Sequence, residues 1–112
     1  MNMKFDKQVG NTIGMGRITV PQKFKPILDQ QKCCPLGSSI DITYILPNGS
    51  RIPGRLYQSQ NPTTYYYQFY IVESHDKNAF WEQVKNYSEL NFEFILETQL
   101  LYVKPSRTFY LK

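Results

Sequence analysis

The sequence of 112 residues contains one histidine, two cysteines and no long hydrophobic run. A helix that crosses a bilayer needs about 20 consecutive apolar residues, and no stretch of the sequence approaches that length. The start of the chain, MNMKFDKQVG, also lacks the apolar segment of a signal peptide. We therefore expect a soluble intracellular protein without a membrane partner.

Metal ligands and cofactor motifs are scarce. The two cysteines, Cys33 and Cys34, are adjacent, and neighbouring residues rarely satisfy disulfide geometry, so we expect two reduced thiols in a loop. The single histidine, His75, lies far from them in sequence. There is no CxxC pair and no GxxxxGK[ST] loop, and the glycines between residues 10 and 16 do not form a dinucleotide fingerprint. The sequence predicts no metal and no cofactor.

Catalytic constellations are equally weak. His75 has Ser74 and Asp76 as neighbours, but catalytic triads assemble across a fold, so adjacency in sequence carries little information. Glu93 and Glu97 share one side of a predicted strand without the further acidic and lysine residues of a nuclease metal site. We expect no active site and no small-molecule substrate. A small enzyme with an unrecognised site is the third and weakest interpretation.

Charge and aromatic residues are what the sequence does offer. Residues 1–60 hold eight Lys/Arg against three Asp, a balance of +5, whereas residues 61–112 hold five Lys/Arg against six Asp/Glu, a balance of −1. A basic half favours contact with a polyanion, because each neutralised phosphate releases counterions. Nine tyrosines suit strands and half-buried surfaces. The length predicts one domain, residues 1–112.

Short strands dominate the predicted secondary structure. Alternation of apolar and polar residues predicts strands at 3–9, 17–20, 40–46, 51–57, 65–72, 91–97, 100–104 and 108–111. A helical turn is expected at 21–28, with Phe24, Ile27 and Leu28 toward the core, and a helix at 74–88, capped by Asp76 or Asn78. The pattern has no βαβ alternation, so the fold class is mainly β, a compact barrel or pseudobarrel whose ends are closed by one or two short helices.

Two basic segments in the first half leave alternatives open. The glycine-rich stretch Gly10–Gly16 is either a hairpin connection or a binding loop from which Asn11, Thr12 and Arg17 reach outward. The turn after Pro21 carries Lys23 and Lys25, which are either solvated or in contact with phosphate.

The ribbon 51–72 is the stretch best suited to nucleic acid. Arg51, Arg55 and Tyr57 are predicted on one face of a strand, and Pro53 and Gly54 indicate an irregular or edge strand. The following tip, residues 58–64, is rich in amides and hydroxyls and has no carboxylate. Arginine can bind guanine through two hydrogen bonds, Asn or Gln can bind adenine in the same way, and a hairpin can enter a groove. A solvated loop with structural tyrosines is the alternative.

The string GRITVPQKF, residues 16–24, resembles the strand-to-helix junction of B3-like DNA-binding domains. The order of later features is also similar, including a helix that contains Phe80-Trp81. The resemblance implies a seven-stranded open pseudobarrel that grips the DNA major groove between an N-arm, about 8–17, and a C-arm, about 51–66. The strict plant pattern around Arg51 is missing, so the chain looks more like the recognition domains of type II restriction endonucleases of the EcoRII and BfiI kinds.

That resemblance implies sequence-specific binding of double-stranded DNA in a prokaryotic cytoplasm, with any nuclease in another domain or subunit. Base contacts are expected from Asn11, Thr12, Arg17, Arg51, Arg55, Gln60 and Asn61. Phosphate contacts are expected from Lys23, Lys25, Ser59 and Thr63, with further contacts from Tyr57, Tyr65 and Tyr66. GRITVP also resembles the dimeric AbrB/MazE-type regulators, which rank second. A tyrosine-rich module that binds another protein is the alternative from a different class.

Overall fold

Seven short strands form one mixed sheet that curls into an open half-barrel. The computed structural model describes residues 1–106, so the strand predicted at 108–111 lies outside the described residues. The strands are β1 (Asn2–Gln8), β2 (Arg17–Thr19), β3 (Ser39–Ile45), β4 (Arg51–Gln58), β5 (Tyr67–Tyr70), β6 (Glu89–Ile95) and β7 (Leu100–Pro105). Their order in the sheet is β1-β6-β7-β3-β4-β5-β2, and every neighbouring pair is antiparallel except β3 and β7. The prediction of a mainly β, seven-stranded open pseudobarrel is confirmed.

Helical segments are few and short. They are α1 (Asn11–Gly14), a 3₁₀ turn (Gln22–Phe24), α2 (Lys25–Gln31) and α3 (Ser74–Val84). Within residues 1–106, none of the helices has the length and apolar character needed to cross a bilayer.

Strict alternation along the strands builds the core. One side of each strand is buried and the other is not, as a period of two requires. The large rings meet inside the barrel: Phe69 packs on Phe94 with centroids 5.0 Å apart, and Tyr44 meets Phe80 of α3 edge to face at 5.9 Å. Because Phe80 and Val84 are fully buried, α3 closes one end of the barrel. Each such side chain contributes about 1.5–3 kcal/mol of hydrophobic free energy.

Strand β4 is internal to the sheet, so of the two alternatives for it, an irregular or an edge strand, the edge strand is wrong. It pairs with β3 along its length but with β5 only over Arg55–Gln58, so Pro53 lies where one side of β4 has no partner strand. Gly54 is required for a different reason, the close approach of the Tyr44 ring. A Cβ at this position would lie 2.8 Å from Tyr44 Cδ1 and closer still to Cε1, so only glycine lets the tyrosine ring cross the β4 backbone.

The segment after β1 is the short helix α1 rather than a hairpin connection. β1 pairs with β6 and β2 pairs with β5, so the two strands that flank α1 do not meet. Of the two alternatives for Gly10–Gly16, the hairpin is therefore wrong. Gly16 lies two residues after the end of α1, has a φ of +77° and packs on Ile71.

Three local predictions fail at element ends. Helix α2 continues to Gln31, since Pro26 lies in its first turn, where proline is tolerated. Ile27 faces outward and is 39% exposed, whereas Leu28 is buried as expected. Helix α3 begins after Glu73 without a side-chain cap, so neither Asp76 nor Asn78 caps it.

Candidate nucleic-acid interface

The sheet register aligns the outward side chains of four strands into two rows. The first row is Arg17, Tyr70, Arg55 and Asp41, on β2, β5, β4 and β3. The second row is Thr19, Gln68, Tyr57 and Ser39. We call these eight residues, together with Tyr66, the arm face. The register thus places the end of the expected N-arm beside β5, and the other neighbour of β5 is β4 of the expected C-arm.

A shallow pocket of about 240 Å³ lies at the centre of the arm face. It is lined by Arg17, Tyr57, Tyr66, Gln68 and Tyr70. The rings of Tyr57 and Tyr70 meet edge to face with centroids 6.1 Å apart. Arg17 comes from the N-arm, whereas Tyr57 and Tyr66 come from the C-arm. The structure therefore brings residues of both arms into one pocket.

Arg17 offers its guanidinium to solvent. Its residue is exposed, and among residues 1–106 no carboxylate lies within ion-pair distance of it. A guanidinium carries five N–H donors in a planar fork, which suits both phosphate and the guanine edge. Arg17 is the arginine of the arm face that is ready to bind an anion or a base.

The N-arm is anchored through its own short helix, α1. Ile13 is buried, and Gly14 lies against Trp81 of α3, where a Cβ would be 3.4 Å from the indole ring. Asn11 and Thr12 are exposed on the first turn of α1. They can reach a ligand, although they do not line the central pocket.

Arg55 is engaged by its neighbours on β3. Its Nη1 donates to Asp41 Oδ1 at 2.7 Å, and its Nε donates to Ser39 Oγ at 2.9 Å. The side chain of Asp41 is 86% exposed, so this ion pair is surrounded by water and stabilises the fold little. DNA could compete with Asp41 for Arg55.

Arg51 lies away from the other two arginines. Its register neighbour on β3 is Ile45, four positions along the strand from the pair of Arg55 and Asp41. At about 3.3 Å per residue, the two β4 arginines are separated by about 13 Å along the strand. The structure does not bring Arg51 to the central pocket.

The tip of the C-arm is organised by its own side chains. Asn61 Oδ1 accepts hydrogen bonds from the N–H and hydroxyl of Thr63, both at 3.0 Å, and from the N–H of Thr64 at 3.2 Å. These bonds occupy the oxygen that a two-bond contact with adenine needs, so Asn61 keeps only its amide donors for a ligand. Ser59 is 6% exposed, and its hydroxyl accepts the N–H of Tyr66 at 2.9 Å. Ser59 therefore holds the loop and has almost no surface for phosphate.

Helix α2 anchors the base of the C-arm. Asp29 accepts hydrogen bonds from the hydroxyls of Tyr65 at 2.5 Å and Tyr67 at 2.7 Å. The bond to Asp29 raises the pKa of Tyr65, and burial, with Asp29 as the second cause, raises the pKa of Tyr67. The expected contact residue Tyr65 thus turns its hydroxyl away from a ligand.

Lys23, Lys25 and Gln60 each pack on a neighbouring residue. Lys25 Nζ lies 3.9 Å from the centroid of the Tyr65 ring, and Lys23 Nζ lies 5.2 Å from that of Phe24. Gln60 is exposed, and its side chain lies over Gly37, whose φ is +70°. These contacts leave the ammonium group of Lys25 beside the C-arm with capacity for phosphate, whereas that of Lys23 lies against the neighbouring Phe24.

Two residues that line the central pocket are missing from the sequence prediction, Gln68 and Tyr70. Tyr67, Phe69 and Ile71 recur at every second position and are buried in the core. The same alternation puts the residues between them on the outer face, which is the signal that identifies both. Gln68 donates to Thr19 Oγ1 at 3.1 Å and so links β5 to β2.

Other candidate chemistry stays dispersed. The imidazole of His75 is 81% exposed and lies 3.2 Å from Asp76. Within the described part of the chain, no three His, Cys, Asp or Glu residues cluster closely enough to hold a metal ion.

Comparison of the chain with protein-family models, with curated proteins and with solved structures gives no match. A fold alone does not define a function, so the function has to follow from the geometry and charge of the arm face.

Proposed function

We propose that this protein is a B3-like domain that binds double-stranded DNA and reads a short sequence in the major groove through the arm face. The observation that carries the proposal is the central pocket, which Arg17 of the N-arm shares with Tyr57 and Tyr66 of the C-arm. Two arms that share one basic and aromatic surface can bind a single ligand together.

The chemistry of this surface suits DNA. Among the described residues Arg17 has no carboxylate within ion-pair distance, and the tip of the C-arm exposes amides and hydroxyls without a carboxylate, at Gln60, Asn61, Thr63 and Thr64. The major groove is about 12 Å wide and admits a two-stranded ribbon, which β4, β5 and their connection provide. Lys25 stands beside the same ribbon, over the Tyr65 ring, for a phosphate contact, and the exposed Lys23 lies on the 3₁₀ turn before α2.

The B3-like assignment and a role in restriction are parts of the same proposal. The seven-stranded pseudobarrel supports them, because it has the architecture that the resemblance implies. We propose that the domain selects the target sequence in a prokaryotic cytoplasm, while a nuclease domain or subunit cuts the DNA.

The test is a binding-site selection from random duplexes, followed by fluorescence anisotropy with the selected duplex and a scrambled one. Arg17→Ala should lose about 1–3 kcal/mol of discrimination between the two duplexes, the worth of one arginine–base contact. Arg51→Ala is the matched control, because it removes an exposed arginine that lies about 13 Å along β4 from Arg55 and the first row of the arm face. Selection that enriches no sequence, or equal losses for both variants, would count against the proposal.

A protein-binding module is the second candidate, and one observation favours it. Met15 and Val72 are 55% and 51% exposed, and they flank the hydrogen bond between Ile71 N–H and the Gly16 carbonyl, next to Arg17. Such apolar surface suits a protein partner. Salt separates the two functions, since DNA affinity falls steeply with ionic strength whereas an aromatic interface changes little. The AbrB/MazE-type alternative gains no support, because β2 pairs with β5 of its own chain.

A further inference from the structure

Two adjacent thiols lie beside an open cavity at the base of the C-arm. The Sγ atoms of Cys33 and Cys34 are 3.6 Å apart. Cys33 is half-buried, and Cys34 is buried with its thiol 3.8 Å from the carbonyl of Leu56 on β4. The cavity has a volume of about 410 Å³ and is lined by Asp29, Lys32, Cys34, Pro35, Gln58, Tyr65 and Tyr67. This dithiol has no part in the proposed contact with DNA.

The distance between the sulfurs favours chelation over a disulfide. A disulfide needs an S–S distance of about 2.05 Å, so the sulfurs of Cys33 and Cys34 would have to approach by about 1.5 Å. A tetrahedral centre with bonds to sulfur of about 2.3 Å, as in zinc thiolates, spans about 3.8 Å between two sulfurs, whereas a linear centre spans about 4.6 Å. The observed 3.6 Å fits a bent two-sulfur chelate.

The number of protein side chains available to join the two thiols limits the kind of chemical group that can bind there. Within residues 1–106 no third His, Cys, Asp or Glu joins the two thiols in a group that could hold a metal ion. The occupant must therefore be satisfied by two sulfurs and bring its remaining substituent with it. Trivalent arsenic with one organic group meets this requirement, because it forms three bonds, one to carbon and two to sulfur. Soft thiolates are the ligands that thiophilic centres prefer.

We propose that Cys33 and Cys34 form a binding site for trivalent organoarsenicals, with the organic group in the adjoining cavity beside Tyr65 and Tyr67. For phenylarsine oxide, two As–S bonds form and the As–O bond breaks, and the oxygen leaves as one water molecule with the two thiol protons. Arsenic stays trivalent, so the step needs no oxidant or reductant.

The two thiols have different parts in this reaction. Their mutual hydrogen bond lowers the pKa of Cys33, whereas that bond, together with burial, raises the pKa of Cys34. Because the thiolate is the nucleophile, Cys33 attacks arsenic first. Cys34 then closes the ring and gives its proton to the departing oxygen.

Intact-protein mass spectrometry with phenylarsine oxide tests the proposal. The wild-type protein should form a 1:1 adduct that survives excess mercaptoethanol and is released by 2,3-dimercaptopropanol, since only a dithiol competes with a chelate. In Cys33→Ser the adduct should become weaker by a factor on the order of a hundred, the loss expected when two linked contacts become one. Release of the wild-type adduct by mercaptoethanol would overturn the proposal.

A matched control keeps the number of thiols constant. Asn86 is exposed and follows α3, so Cys33→Ser combined with Asn86→Cys retains two thiols on separate elements. This variant should behave like Cys33→Ser, and wild-type retention by it would overturn the proposal. Peptide mapping of the wild-type adduct does not depend on the folding of any variant. Alkylation in urea exposes both thiols to iodoacetamide. Phenylarsine oxide should then protect Cys33 and Cys34 together, and protection of only one of them would also overturn the proposal.

Discussion

The hydroxyl of Tyr44 reaches across the barrel and donates to the carbonyl of Gly16, at the end of the N-arm, at 3.3 Å. Tyr44 is fully buried on β3, and its ring passes over the β4 backbone at Gly54. One core side chain therefore connects both arms: it packs on the strand that leads to the C-arm and bonds the residue before Arg17.

We expect Gly54→Ala to destabilise the protein by about 1–3 kcal/mol, the usual cost of an extra methyl group in a packed core. The new Cβ would meet the Tyr44 ring and come within 3.0 Å of the Tyr70 carbonyl. Urea unfolding followed by circular dichroism measures the difference. Gly10→Ala is the control, because a Cβ there meets nothing within 4 Å. An equal effect of both substitutions would show that the contact with Tyr44 is not the cause.

We expect Asp29→Asn to weaken the alkaline loss of stability. A tyrosine whose pKa is raised by folding stabilises the folded state below its unfolded pKa, about 10, and this stabilisation is lost as the pH rises through the folded value. The pKa values of Tyr65 and Tyr67 are raised partly by the carboxylate of Asp29, so its neutralisation should lower both. The midpoint of urea unfolding, measured at several pH values from neutral to strongly alkaline, reports the effect. A pH dependence as steep as that of the wild type would contradict this role of Asp29.

We expect Asp41→Asn to raise DNA affinity at low salt. The substitution weakens the hold on Arg55 and removes a negative charge from the first row of the arm face. Arg55→Ala should instead cost about 1–3 kcal/mol of sequence discrimination. Fluorescence anisotropy measures both. Glu93→Gln is the control, because it removes the same charge from β6, next to Lys4 on the far side of the sheet. If Asp41→Asn binds DNA more weakly than Glu93→Gln, Asp41 is not a competitor of DNA.

We expect Cys33 to react with iodoacetamide at a lower pH than an ordinary cysteine. The hydrogen bond from Cys34 stabilises the Cys33 thiolate and lowers its pKa, so Cys34→Ala should shift the pH profile of labelling upward. Mass spectrometry of the labelled peptide gives the rate at each pH. An unchanged profile in Cys34→Ala would show that the neighbouring thiol does not stabilise the thiolate.

Much of the fold was accessible from the sequence, because alternation determines it locally. The pattern placed Arg51, Arg55 and Tyr57 on one face of β4, and the structure confirms this, with Ile52 and Leu56 buried on the other face. The pairing of strands was not accessible. Nothing in the sequence near β4 reveals that β5 covers only half of it, since partner strands come from distant parts of the chain.

The candidate site was accessible only as a set of side-chain types. From sequence alone, Arg17, Arg51 and Arg55 are equal candidates for base contact. The register shows that Arg51 is distant and that Arg55 is paired with Asp41, while Arg17 has no ion-pair partner among residues 1–106. The sequence also did not show that Tyr65 and Ser59 bond to other parts of the protein. The Tyr65 hydroxyl bonds to Asp29 in α2, and the Ser59 hydroxyl accepts the N–H of Tyr66. Period-two alternation was sufficient to find Gln68 and Tyr70.

The pairing of β1 with β6 has a consequence for synthesis. Asn2 lies opposite Ile95, so β1 finds its partner only after β6 has been translated. Until then its backbone donors and acceptors are free to pair with other chains. Contacts so distant in sequence also slow the search for the native state. We expect truncation before β6 to leave a chain that cannot complete its sheet.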